Sequence, residues 1–263
     1  MRIASLQPSV TLTLAALGRL DALCAHTNYC LEALPELASL NLPILADSWT
    51  TTTDELTAVK PDLVIASVPY RLESLAAILK AGFPLLALAP HTLDDVFKDT
   101  RLIAAQIART AEAESLIETF KQSLASTQST TRGLQRLTVY CEEWGKPLIH
   151  SQPWIAELIA VAGGSFVGTP GLQTIPEAIA AANPDVLIFA WCGAGDRVPL
   201  ERVISQRNWQ QLKAVRNGRV YCVPDEYLNT PAIPSLTMGL NHLASAIHPE
   251  LFSPMSRLIS IVR

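Results

Sequence analysis

The chain is poor in charge: Asp, Glu, Lys and Arg make up 17% of its 263 residues, against 49% hydrophobic residues. That balance excludes a disordered chain, which buries too little apolar surface to offset its ordering entropy. Basic residues are in no excess. A net charge of −4 gives no cationic footprint, so no nucleic-acid partner is expected. Long apolar runs are missing too, because charged or turn-forming residues interrupt each one short of a membrane span. The cysteines, Cys24, Cys30, Cys141, Cys192 and Cys222, are odd in number and lack metal-ligand or redox-pair spacing. They read as buried thiols in a reducing compartment.

Enzyme signatures are equally sparse. No strand–Gly-rich loop–helix fingerprint occurs, and Gly193-Ala194-Gly195 alone is a weak nucleotide signal. Ser9, Ser67 and Ser151 lack a nucleophile elbow, and no carboxylate pair stands out for acid–base work. No catalytic residue is assigned, and binding without turnover is expected. His26, His91, His150, His242 and His248 are scattered, without paired spacing or positioned acids, so no metal ligand is assigned. A leader pattern is also missing. Met1-Arg2-Ile3-Ala4-Ser5-Leu6 enters a strand at once, which places the expected location in the cytoplasm. The alternative is the periplasm or the cell surface, reached if the N-terminus had been trimmed.

What the sequence does contain is an internal echo. Lys60-Pro61-Asp62-Leu63-Val64-Ile65-Ala66 returns as Asn183-Pro184-Asp185-Val186-Leu187-Ile188-Phe189-Ala190, each copy after a short helical pattern. Pro stops the helix, Asp makes the turn, and the unbroken apolar run reads as a parallel strand covered on both faces. Copies so far apart predict two similar α/β lobes, and a ligand is expected in the cleft between them.

The rest of the pattern fills out this frame. In the first lobe, strands are expected at 2–6, 20–25, 44–45, 63–66 and 85–88, with helices at 10–17, 54–59 and 72–80; 31–43 reads as loop-rich. In the second, strands are expected at 137–141, 186–190 and 220–223, with helices at 155–162, 175–182, 200–205 and 235–247. Between them, Val96, Ile103, Ile107, Ala111, Leu116, Phe120 and Leu124 recur with no Pro or Gly, predicting one helix or two nearly continuous ones. The expected division is therefore an N-terminal lobe at 1–92, a connecting long helix at 93–128 and a C-terminal lobe at 129–263. The fold class is α/β, two Rossmann-like lobes with parallel sheets joined by one long helix.

Several ordered segments carry a resemblance. They are Arg2-Ile3-Ala4-Ser5-Leu6-Gln7-Pro8-Ser9-Val10-Thr11, Leu17-Gly18, the two echo segments, Ala162-Gly163-Gly164 and Ala214-Val215-Arg216-Asn217-Gly218-Arg219-Val220-Tyr221. With them the chain resembles the two-lobed solute-binding proteins of ABC importers whose lobes are joined by a long helix. It is most similar to the cobalamin and iron–siderophore binders. Glu143-Trp144-Gly145 and the segment around Tyr227-Leu228-Asn229 bring it nearer the cobalamin binders. Ser67-Val68, Leu172 and Ser235 depart from them, at two aromatic positions and one arginine. The resemblance implies a corrinoid such as cobalamin as the bound ligand, held for ABC import or intracellular carriage, with a siderophore or metal as alternatives. A further alternative is a cytoplasmic enzyme or regulator reusing the fold. It also implies a monomer serving an ABC permease, docked through the lobe-tip carboxylates Glu73 and, more loosely, Glu201.

Ligands of parallel α/β lobes bind beyond the carboxyl ends of the strands. Those ends carry Pro8 and Ser9, Tyr29, Trp49, Val68 and Tyr70 in the first lobe, and Trp144, Trp191 and Tyr227 in the second. Aromatic residues are only 6% of the chain, yet strand ends hold several of them. Broad rings suit a macrocyclic or conjugated ligand, offering contact area at little entropic cost.

Overall fold

The computed structural model describes residues 1–261. They form two compact units: Met1–Thr119 with Pro231–Pro234, and Phe120–Thr230 with the chain from Ser235 onward. The first unit holds a five-stranded parallel sheet of β1 (Ile3–Ser5), β2 (Leu23–Thr27), β3 (Ile44–Leu45), β4 (Leu63–Ser67) and β5 (Leu85–Leu88). Its order is β3-β2-β1-β4-β5. Every residue of β1, β2 and β4 is buried, as expected of strands covered on both faces. Ile3, Val10, Leu14, Leu23 and Ile65 centre one core cluster, and Ala4, Leu6, Val64 and Ile78 centre another.

The second unit is built around β6 (Leu137–Gly145), β10 (Val186–Phe189) and β11 (Val220–Cys222), which are parallel. Around them lie β7 (Leu148–His150), β8 (Gly164–Phe166), β9 (Gln173–Thr174) and β12 (Ile259–Ser260), giving the path β12-β11-β10-β6-β7-β9 with β8 beside β6. This sheet is mixed rather than parallel, because β7, β9 and β12 pair antiparallel. The antiparallel part starts at the tight turn Lys146-Pro147, which folds β7 straight back on β6.

The echo has a structural counterpart. Lys60 and Asn183 cap their helices in the left-handed region, at φ 48° and 46°. The next aspartate then ties the new strand to its neighbour. Asp62 accepts from the Arg2 amide at 2.7 Å and gives its own amide to the Arg2 carbonyl. Asp185 accepts from the Thr138 amide at 2.9 Å and hydroxyl at 2.7 Å, and gives its amide to the Thr138 carbonyl. The motif thus sets the register of β4 against β1 and of β10 against β6. Burial pushes the Asp185 carboxyl pKa up, but the Thr138 bonds, with Lys213 and Arg219, outweigh it and hold the group below its usual value. A depressed carboxylate adds stability above its unfolded pKa and loses it as pH falls through the folded one. Asp185→Ala is therefore expected to cost about 1–2 kcal/mol at neutral pH. In urea unfolding the deficit should narrow as pH falls through the lowered pKa of this carboxyl, where the wild-type group is itself protonated. A deficit independent of pH would overturn this role.

Segment 93–128 takes the second of the two forms expected, two nearly continuous helices rather than one. It holds two helices, Leu93–Gln106 and Thr110–Thr130, and the division between the units falls inside the second. The break lies at Ala108, in the left-handed region at φ 52°. There the Ile107 carbonyl leaves the helix and accepts from Arg19 Nη1 at 2.6 Å. No Pro or Gly marks this stop, so periodicity alone runs through it. Segment 31–43 is likewise more regular than expected, with helix Asn28–Ala33 reaching into it and a 3₁₀ helix at Pro35–Leu40. Residues 20–22 form a 3₁₀ turn ahead of β2. All five cysteines are free thiols, four buried and Cys192 exposed.

Candidate functional site

On the first sheet, adjacent carboxyl ends gather the residues singled out from the sequence. Pro8 and Ser9 open the helix after β1, Tyr29 sits in the helix after β2, Trp49 follows β3, and Val68 and Tyr70 follow β4. Tyr29 and Trp49 are exposed, whereas Ser9 is buried. A small network knits these loops together. Gln7 Nε2 donates to Ser48 Oγ at 2.7 Å and to the Pro69 carbonyl at 3.0 Å, and Ser48 Oγ donates to that same carbonyl. Ser74 then donates to the Trp49 carbonyl at 2.7 Å.

The second unit has a pocket of about 700 Å³ at the carboxyl ends of β6 and β10. Trp144, Gly145, Lys146 and Leu148 line one side, and Trp191 to Ala194 and the helix Leu200–Gln206 line the other. Trp144 and Trp191 are thus brought together, as their places on neighbouring strands require. Tyr227 is not among the lining residues. Its ring packs on His242 at 4.9 Å and under the Arg257 guanidinium at 5.7 Å.

Trp191 is held by groups that the sequence reading missed. Its Nε1 donates at 2.7 Å to Glu142, a fully buried carboxylate on β6. Glu142 also receives both terminal nitrogens of Arg207, at 2.7 and 2.8 Å, and the Tyr140 hydroxyl. Arg207 lies over the Trp209 ring at 4.9 Å, with Phe189 and Trp191 at 5.8 and 6.0 Å. A buried ion pair survives only when its remaining polar atoms are bonded, and here both carboxylate oxygens are shared among donors. Burial, with Glu142 adding to it, pushes the Tyr140 pKa far above the usual phenol range, so Tyr140 stays a neutral donor. The carboxylate Glu142, directly after the apolar run Val139-Tyr140-Cys141 and still on the strand, was the sequence signal for this cluster, since a buried charge demands a partner.

Gly145 completes the seat. A Cβ there would stand 2.5 Å from Trp191 Cζ2, so only glycine lets the indole lie against the β6 backbone. Trp144 is 43% exposed, and its Nε1 donates to the Lys146 carbonyl at 2.8 Å. The loop after Trp191 is pinned by Asp225, which accepts from the Gly193 and Gly195 amides at 2.8 Å each. Both rings facing the pocket are therefore oriented without a ligand.

Glu73 and Glu201 are exposed first-turn residues of the helices Leu72–Lys80 and Leu200–Gln206, which follow β4 and β10. These are the two echoed strands, so the glutamates stand at equivalent places in the two units. His26, His150, His242 and His248 are buried, each paired with a carbonyl or carboxylate oxygen. Among the described residues no group of three or more His, Cys, Asp or Glu is placed to hold a metal ion, and no helix is long and apolar enough to cross a membrane.

A family model described as periplasmic binding protein matches residues 3–227. Among solved structures the chain is similar to a periplasmic vitamin B12 binding protein of Vibrio cholerae (TM-score 0.75, 24% identity, covering 94% of this chain and 96% of that one). It is also similar to a periplasmic heme binding protein from Pseudomonas aeruginosa (TM-score 0.86, 19% identity, covering 100% and 98%). A third likeness is to a petrobactin-binding protein from Bacillus subtilis (TM-score 0.79, 18% identity, covering 94% and 91%). At these identities the likeness concerns the fold. No curated protein matches the chain. The family match corrects the cytoplasmic location expected from the N-terminal residues, because the family is one of periplasmic proteins. The first residues read as a strand because they form β1, which says nothing of location.

Proposed function

Since the chain belongs to the periplasmic binding protein family, we propose that this solute-binding protein holds a large planar, cofactor-like ligand, a corrinoid first among them, against Trp144 and Trp191. The observation that carries the reading is the fixed Trp191. A buried ion pair, a glycine seat and a pinned loop all serve to aim one indole into a pocket of about 700 Å³. That volume falls within the range of small-molecule sites, and a pre-oriented ring adds contact area without further loss of side-chain freedom. The proteins matched in family and fold are binding proteins rather than enzymes, in keeping with binding as the role. In this proposal an ABC permease receives the loaded protein, and Glu73 and Glu201 meet its basic groups through charge-assisted contacts. Reversing both charges is expected to slow uptake and leave ligand affinity unchanged; a matching loss of affinity would place them in the binding site instead.

Calorimetry of the purified protein against cobalamin, cobinamide, haem and a ferric siderophore tests the main reading. Heat of binding with a corrinoid supports it. Heat with haem or the siderophore alone would replace the ligand class, and silence with all of them would overturn the reading.

A further inference from the structure

We infer that the ligand of this pocket carries carboxylates on the edge of its ring, paired by Lys146 and Arg202. This rests on the reading of the pocket proposed above and narrows it to an acid-bearing macrocycle. The pocket lining includes the cations Lys146, Arg202 and Arg207 and no Asp or Glu. Arg207 is fully engaged by Glu142. Lys146, at the turn from β6 to β7, and Arg202, on the helix Leu200–Gln206, are both exposed. Neither makes an ion pair among the described residues. On a charge-poor chain of net charge −4, two unpaired cations on the two sides of one pocket are a local excess.

Glu143 accepts from Gln152 at 2.8 Å, and Asp225 is occupied by the Gly193 and Gly195 amides. Glu201 is exposed beside Arg202 in the first helical turn. Of the other acids near lining residues in sequence, Glu142 is taken up by Arg207, Asp196 pairs with Arg257, and Glu177 beside Pro176 is exposed in a first helical turn. A macrocycle stacked on Trp144 and Trp191 presents its periphery to the rim, where Lys146 and Arg202 stand. Side chains ending in carboxylates meet opposite charge there; side chains ending in amides gain only hydrogen bonds. Exposed pairs are individually weak, so the preference between the two forms should be about tenfold at low salt and vanish on screening.

The test compares dicyano-cobyrinic acid, whose peripheral groups are carboxylates, with dicyano-cobinamide, whose groups are amides. A second pair, iron protoporphyrin IX and its dimethyl ester, asks the same of a porphyrin. Binding by tryptophan quenching is measured for wild type and for Lys146→Gln with Arg202→Gln. The expected result is about a tenfold preference for the acid form at low salt, falling to near parity in the double variant and at about 0.5 M salt. Continued saturable binding of the amide or ester form by the double variant checks that the pocket is intact. Equal binding of acid and neutral forms by wild type, or a preference that survives both substitutions, overturns the inference and leaves the pocket reading standing. If no member of either pair binds the wild type, the pocket reading fails and this inference fails with it.

Discussion

Glu142→Leu is expected to destabilise the second unit by about 3–5 kcal/mol, the usual result of removing one partner from a buried ion pair. The cause is what the substitution leaves behind. Arg207, with a side chain only 9% exposed, keeps its charge among Phe189, Trp191 and Trp209. The Tyr140 hydroxyl and the Trp191 indole also lose their acceptor. Removing both charges together, Glu142→Leu with Arg207→Met, should regain roughly half of that loss, because an apolar pair no longer strands a buried cation. The regain stops short of completion, since an unsatisfied buried donor still costs about 1–3 kcal/mol. Urea unfolding of the two variants decides the matter. A single variant within about 1 kcal/mol of wild type would mean that water or a rearranged neighbour solvates Arg207.

The same cluster marks the limit of what could be read from the chain. The echo around Pro61 and Pro184 was legible because each step read is local: a proline, an aspartate and an apolar run; the left-handed caps at Lys60 and Asn183 were not read. Its consequence, the bonds from Asp62 to Arg2 and from Asp185 to Thr138, is long-range and follows from the two strands having the same neighbour geometry. Trp144 and Trp191 were legible as strand-end rings, since ligands gather at that edge of a parallel sheet. Their immobilisation was not, because Arg207 lies 65 residues from Glu142 and no periodicity links them. The antiparallel strands β7 and β9 escaped notice for a different reason. They are two or three residues long and held by pairing with β6 and with each other rather than by propensity. The break at Ala108 is likewise made by a distant side chain, Arg19.

Trp191→Ala is expected to weaken corrinoid binding about a hundredfold, or about 2.7 kcal/mol, the loss typical of a central aromatic anchor. The variant should remain folded. Glu142 keeps both Arg207 nitrogens and the Tyr140 hydroxyl, so deleting the indole leaves no buried charge unpaired. Trp144→Ala should cost less, about tenfold, because that ring is half exposed and tied only to the Lys146 carbonyl. Trp191→Phe separates contact from orientation: it keeps a flat ring and removes the bond to Glu142, so its affinity should fall between wild type and Trp191→Ala. The double variant at Glu142 and Arg207 makes the complementary test, since it frees an intact Trp191. If pre-orientation matters, that protein binds more weakly than wild type even at temperatures where it is fully folded, and the deficit appears as faster ligand release. Calorimetry and stopped-flow dissociation on these variants give the ranking. Affinity indifferent to both tryptophans would remove the ligand from this pocket, whatever the stability of the buried pair beneath it.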